Sequence, residues 1–311
     1  MPTLAATALL DRMSGNRSDQ AWVEAQRAAP TARFLVLADL KPVVVPAPDR
    51  TAVLRWLTRA ELSALRLPEE GALFLGLSRD TGVPHFALAF PEQQLQGVAG
   101  AGEVLRPAID LRSLAMQGAL SPDEQSLAGK ARALAQWHEN AQCCGRCGAP
   151  TQIQDGGWRR SCGGCRLDWF PRTDPVVIML VTDGERCILA HEHRYQNKMY
   201  STLAGFLEPG EDIEHAVRRE VLEEVSITVG RVDYVRSQPW PFPHSLMLGC
   251  IAHAETTEIT VDKAELAEAR WFSREEARMM LDGTHPEGLT APGKHAIAHI
   301  LVRAFVEGRT G

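Results

Sequence analysis

The sequence predicts an α+β protein, and three observations carry that reading. The first hundred or so residues hold strand-like apolar runs. Four of the seven cysteines form two CxxC pairs midway along the chain, and the segment after them switches repeatedly between a period of two and one near 3.6. At 311 residues the chain has room for two domains, or one large domain with an elaboration, and for a sizeable core. The 33 basic and 39 acidic residues leave a net charge of −6, which argues against a general nucleic-acid or membrane-surface binder while permitting a local basic patch. The longest apolar run, residues 175–181, is far short of a bilayer span, and the N-terminus has no basic region ahead of a hydrophobic one. A soluble, cytoplasmic protein with no membrane partner is expected.

In chain order, RFLVLADLKPVVVP from Arg33, then ALFLGL and PHFALAF joined by the turn-like SRDTG, read as strands of a small mixed domain that carries no chemical motif. At Ser121 a capping box opens a connecting helix: Glu124 lies three residues on, Pro122 takes the first helical position, and Leu127, Ala131 and Leu134 recur at helical spacing to about His138. Beyond the cysteines, VVIMLVT and RCILAHE suggest a hairpin about Asp183 and Gly184. A helix follows Glu211, SLMLGCIAHA and ARWFS read as strands, and a last helix runs from about Lys294 to Glu307. The expected division is 1–138, 139–170 and 171–311.

Cys144, Cys147, Cys162 and Cys165 form two knuckles separated by fourteen residues. Each knuckle brings two thiolates to one turn, so the pair closes a tetrahedron around one structural zinc. Cys143 is an alternative ligand, although the two-residue spacing favours Cys144. Cys187 and Cys250 sit in apolar runs and read as buried thiols. Arg146, Arg159, Arg160 and Arg166 against Asp155 and Asp168 make only a mild basic excess, so the ribbon reads as a strut.

The stretch GFLEPGEDIEHAVRREVLEEVSI, residues 205–227, holds seven acidic residues and two arginines. Ile213, Val217, Val221 and Val225 fall four apart and make an apolar stripe, with Ala216 and Leu222 nearby; Glu214 with Arg218, and Arg219 with Glu223, are spaced to pair. Glu220 and Glu224 have no such partner at helical spacing. Their repulsion costs a few tenths of a kcal/mol, roughly, and the helix C-terminus adds roughly 0.3–1 kcal/mol. Two carboxylates one turn apart, flanked by Glu223, are an oxygen-ligand set for a hard cation such as magnesium, which bridges to substrate phosphates.

Gly205, Glu211 and the run Arg219-Glu220-Val221-Leu222-Glu223-Glu224, followed by Ser226-Ile227, resemble the Nudix box, Gx5Ex7REUxEExGU, at every defining position except that Ser226 replaces the last glycine. The resemblance implies an α/β/α sandwich with a mixed sheet. It also implies a loop-helix-loop in which Glu220, Glu223 and Glu224, with the carbonyl of Ala204, bind magnesium or manganese and activate water to hydrolyse a pyrophosphate, while Glu211 and Arg219 brace the loop.

Downstream, SQPWPFPHS has three prolines that predict a stiff extended loop holding Trp240 and Phe242 out as flat surfaces. The string resembles the SQPWPFPxS signature of the NADH pyrophosphatase subfamily. That subfamily's arrangement of N-terminal domain, four-cysteine zinc ribbon and Nudix domain matches this chain closely from Cys144 onward and loosely before it. The resemblance implies hydrolysis of NAD(H) to nicotinamide mononucleotide and AMP. It also implies a dinucleotide site lined by Gln238, Pro239, Trp240, Pro241, Phe242, Pro243, His244 and Ser245, with Ala298 and Arg106 also facing substrate. The resemblance further implies that Glu265 is a metal ligand, that Phe170 and Phe206 sandwich the adenine, and that the protein is a homodimer. Removal of NAD caps from RNA 5′ ends at the same site is an alternative, with Arg159 and Arg160 holding the RNA backbone. A rival reading, a zinc-ribbon nucleic-acid module with an inactive Nudix domain, predicts loss of a box carboxylate, and none is missing.

Overall fold

The computed structural model describes residues 9–47, 52–96, 104–105, 107–195 and 197–310. The chain divides into two units, Met1–Arg172 together with Pro241–His244, and Thr173–Trp240 together with Ser245–Gly311. Arg106 lies outside the described residues.

In the first unit the elements run β1 (Leu10–Asp11), α1 (Gln20–Ala28), β2 (Arg33–Ala38), β3 (Lys41–Pro42), β4 (Val44–Pro46), β5 (Ala52–Leu54), β6 (Trp56–Thr58), α2 (Arg59–Ala64), β7 (Leu73–Ser78), β8 (Pro84–Phe90), α3 (Glu92–Gln96), α4 (Leu111–Met116) and α5 (Pro122–Asn140). The sheet order is β1-β7-β8-β2-β3, with β6 also on β2. Period-two alternation sends Phe34, Val36 and Ala38 of β2 into one apolar cluster and Leu35 and Leu37 into another. Leu127, Ala131 and Leu134 of α5 fill the second cluster, as their spacing predicts.

The expected cap of α5 forms only in part. Ser121 accepts from the Glu124 amide at 3.3 Å, but the Glu124 carboxylate accepts from Ser121 Oγ and from the Leu54 amide at 2.9 Å, not from the Ser121 amide. The ribbon follows as β9 (Thr151–Gln154), β10 (Arg159–Cys162) and β11 (Asp168–Trp169), in the order β11-β10-β9.

The second unit contains β12 (Asp174–Thr182), β13 (Arg186–Glu192), β14 (Leu203–Phe206), α6 (Ile213–Val225), β15 (Val229–Trp240), β16 (Ser245–Ala254), β17 (Leu266–Ser273), α7 (Arg274–Asp282) and α8 (Ile297–Val306). Its mixed sheet has the order β15-β16-β12-β13-β17, with β14 on β12 and β12 parallel to β16. Val177, Met179 and Val181 of β12 pack under α6, whereas Ile178 and Leu180 pack under α7 and α8, so one strand serves both cores of an α/β/α sandwich. Cys187 and Cys250 are buried, as expected. Among the described residues, no helix is long and apolar enough to cross a membrane.

Candidate active site and metal-binding cluster

Helix α6 carries the carboxylates, and its ends fix their height. Asp212 caps it by accepting from the His215 amide at 2.8 Å. Ser226 ends it in the left-handed conformation, φ 58° and ψ 26°, with its amide bonded to Leu222 O at 3.0 Å. Val217, Val221 and Val225 are buried against the sheet, but Leu222 is 54 % exposed and outside that stripe. Arg218 does not take up Glu214 as its spacing suggests. Its guanidinium donates to Gly230 O at 3.1 and 2.8 Å, which ties the helix to β15.

Arg219 is the hub of the site. It forks onto Glu211 at 2.6 and 2.9 Å and donates to Phe206 O at 2.9 Å, to Glu220 at 2.9 Å and to Glu223 at 3.0 Å. Bonding to Arg219 and to the Glu208 amide draws the Glu211 carboxyl down to about 2. The expectation that Glu220 goes unrelieved is therefore corrected: its chain neighbour supplies the cation. Burial still outweighs that partner and raises the Glu220 pKa. Glycine at 205 has a steric cause, since a Cβ there would collide with the Glu220 carboxyl.

Glu224 keeps the predicted anomaly. It is 5 % exposed, and Oε2 has no hydrogen-bond partner among the described residues. Burial, then the charges of Glu220, Glu265, Glu192 and Glu223, push its carboxyl up to about 8. A buried carboxyl among other carboxylates, with an unpartnered oxygen, is relieved either by a proton or by a cation. The oxygen-only set of Glu220, Glu223, Glu224 and Glu265 fits a hard divalent ion. Glu265 precedes β17 and is brought near Glu220 and Glu224, although it is 41 positions from Glu224 in sequence. Ala204 lies beside Gly205 on β14. Sequence reasoning missed Glu192 at the end of β13, where nothing in the strand's alternation marks it.

The sulfurs of Cys144, Cys147, Cys162 and Cys165 all lie within 4.8 Å of one another, with Cys144–Cys165 at 3.6 Å and Cys147–Cys162 at 3.4 Å. A tetrahedron with zinc–sulfur bonds of about 2.3 Å has edges of about 3.8 Å, so the set fits zinc. Cys143 is exposed and pairs by backbone with Pro150, outside the cluster. Two of the ribbon arginines, Arg159 and Arg160, are engaged by groups of their own chain. Arg159 bonds Asp155 at 3.0 and 3.1 Å and Asp168 at 2.8 Å, while buried Arg160 bonds Thr151 Oγ1 at 2.7 Å, Thr151 O at 2.9 Å and His138 Nδ1 at 2.8 Å. Arg160 is buried and Arg159 is ion-paired, so neither guanidinium is unpaired.

The proline-rich string differs from the expected loop. Residues 237–240 finish edge strand β15, where Pro239 is tolerated, and Trp240 pairs with Ser245 across a four-residue tip. Phe242 is not held out: it is half-buried against the apolar cluster of Leu35, Leu127 and Leu134. Gln238 is buried, donating to His295 O at 2.7 Å and accepting from the Ile297 amide at 2.8 Å, and Ala298, in the first turn of α8, is buried in the core. Pro239 and Pro243 are exposed; Pro241, His244 and Ser245 are half-buried. Phe170 and Phe206 present exposed rings, 63 % and 59 % accessible.

Comparison with known proteins gives three family matches: residues 172–291 to the NUDIX domain, 31–137 to the NADH pyrophosphatase-like rudimentary NUDIX domain, and 139–170 to the NADH pyrophosphatase zinc ribbon domain. The NAD-capped RNA hydrolase NudC of Mycobacterium bovis is 36 % identical over 313 residues, covering 97 % of this chain and 96 % of its own. The NAD-capped RNA hydrolase NUDT12 of Macaca fascicularis is 35 % identical over 332 residues, covering 96 % of this chain and 72 % of its own. The mitochondrial NAD(P)H pyrophosphatase NUDT13 of Mus musculus is 34 % identical over 316 residues, covering 92 % and 87 %. With the box carboxylates around Arg219 and a four-thiol cluster ahead of them, the chain belongs to the zinc-ribbon, NADH pyrophosphatase family of Nudix hydrolases.

Proposed function

We propose that the protein hydrolyses the pyrophosphate bond of NAD(H), giving nicotinamide mononucleotide, oxidised or reduced, and AMP. The observation that carries the reading is Glu224: a buried carboxylate beside Glu220 and Glu265 with an oxygen that no described group satisfies. Glu220, Glu223, Glu224, Glu265 and the Ala204 carbonyl would hold magnesium or manganese, and the four cysteines one zinc per chain. When bound, the divalent ion would offset charge on the phosphoryl oxygens and lower the pKa of a water. The chain's own part is to hold geometry. Arg219 fixes Glu211, Glu220 and Glu223 at once, and Gly205 lets the Glu220 carboxyl rest on β14. The new bond joins water oxygen to phosphorus, and the bond broken is the bridging phosphorus–oxygen bond.

The names of the relatives support both NAD(H) and NAD-capped RNA as substrates. Cap removal at the same carboxylates is the second reading. A cytoplasmic homodimer, with Phe170, Phe206 and residues 238–245 contacting the dinucleotide, completes the proposal. Incubating the purified protein, with magnesium or manganese, with NADH, NAD+, ADP-ribose, a diadenosine polyphosphate and NAD-capped RNA, and identifying products, tests it. NADH should yield the reduced mononucleotide and AMP, and metal analysis should find one zinc per chain. Silence toward both NADH and capped RNA sinks the reading.

A further inference from the structure

Residues Pro241–His244 form the tip between β15 and β16, yet they belong to the first unit while the strands on either side belong to the second. Two residues of α5 meet this tip, and a third on the same helix face steadies one of them. Gly129 lies against Pro241 so closely that a Cβ would stand 2.9 Å from Pro241 Cγ, nearer than side chains pack. Arg132, one turn on, donates from Nη1 to Pro241 O at 2.6 Å, and its guanidinium lies 5.5 Å from the centroid of the Phe242 ring. Gln136, a further turn along, accepts from the same nitrogen at 3.0 Å and steadies it. Phe242 adds its ring to the apolar cluster that α5 itself fills. A cation-assisted hydrogen bond, a ring contact and a close approach that only glycine permits therefore converge on two consecutive residues.

We propose that Gly129 and Arg132 are positioning residues for the substrate loop: α5, a 19-residue helix, sets where the loop's backbone stands when the dinucleotide binds. The proposal rests on the NAD(H) reading above, in which residues 238–245 contact substrate. Its physical basis is that binding groups placed by a packed helix hold their geometry better than groups on a bare hairpin tip, so losing the anchor weakens binding more than it slows chemistry. The rudimentary domain then has a task although it carries no carboxylate box of its own.

The test is steady-state kinetics with NADH on the full-length wild type, Arg132→Met, Arg132→Lys and Gly129→Ala, with zinc content, melting temperature and amide hydrogen exchange of Phe242 and His244 measured on each. Arg132→Met should raise KM about tenfold while changing kcat less than about threefold; Arg132→Lys, which keeps one donor and the charge, should recover part of the loss. Exchange at the tip should quicken in Arg132→Met. An active wild type with unchanged KM in both Arg132→Met and Gly129→Ala overturns the positioning role and leaves the NAD(H) reading standing. A wild type silent toward NADH overturns both. If Arg132→Met fails to fold, Arg132→Lys decides: its KM must lie above that of the wild type.

Discussion

At Glu224 activity and stability pull in opposite directions. The carboxyl has one oxygen unpartnered among the described residues, and burial first, then four neighbouring carboxylates, raise its pKa. Glu224→Gln keeps the shape and removes the ability to ionise. In the absence of added metal the variant should melt higher than the wild type, while magnesium-dependent hydrolysis falls by about a hundredfold or more. Retained hydrolysis in Glu224→Gln would show that the ion is held without it. Ser226 offers a milder case. Its left-handed φ of 58° costs a non-glycine residue about 1 kcal/mol, so Ser226→Gly should raise the melting temperature and leave kcat unchanged; a lower melting temperature would contradict that. Both residues are legible in sequence, because helical spacing isolates Glu224 and the box pattern singles out Ser226. The bond from Arg219 to Glu220 is not, since it joins adjacent positions through side-chain conformations that no periodicity encodes.

Among the elements, α5 and β10 are joined by a contact that is pH-sensitive. His138 donates from Nε2 to Gly157 O at 2.8 Å and accepts at Nδ1 from Arg160, a pairing that only the neutral ring can make. Burial, with the Arg160 charge against it, holds its pKa down to about 4, below the 6.5 of a free histidine. Above pH 6.5 both folded and unfolded rings are neutral and the contact is intact. As pH falls from 6.5 toward 4 the unfolded chain takes a proton that the fold refuses, so stability declines by up to about 3 kcal/mol and then levels off. The melting-temperature loss between pH 7 and pH 5 should be smaller in His138→Asn, whose side-chain oxygen still accepts from Arg160; equal losses would remove His138 from the account. The CxxC spacing makes the ribbon legible, but the burial of Arg160 is not, because its partners Thr151 and His138 lie 9 and 22 positions away. The sequence reading likewise passes over α1, α2 and α4, of nine, six and six residues, too short to show a period.

Across the whole chain the net charge is −6, and the ribbon's Arg159 and Arg160 are engaged by Asp155, Asp168, Thr151 and His138. An RNA body attached to the cap should therefore add little counterion release. The slope of log KM against log salt for NAD-capped RNA should stay within about one unit of that for free NADH. A much steeper slope would place a phosphate-gripping surface elsewhere on the molecule. The sandwich of the second unit is legible because its central strands are continuous apolar runs and its box helix is periodic. The fate of the proline-rich tip is not, because a half-buried ring and a projecting one have the same local sequence.

That tip has a practical consequence for dissecting the molecule. A boundary at Arg172 looks natural, yet a fragment beginning at Thr173 carries Pro241 and Phe242 away from Gly129 and Arg132, and the complementary fragment keeps an apolar cluster with a missing ring. Splitting the chain there produces two incomplete proteins, so limited proteolysis or separate expression of the halves reports on the damaged tip as much as on either half.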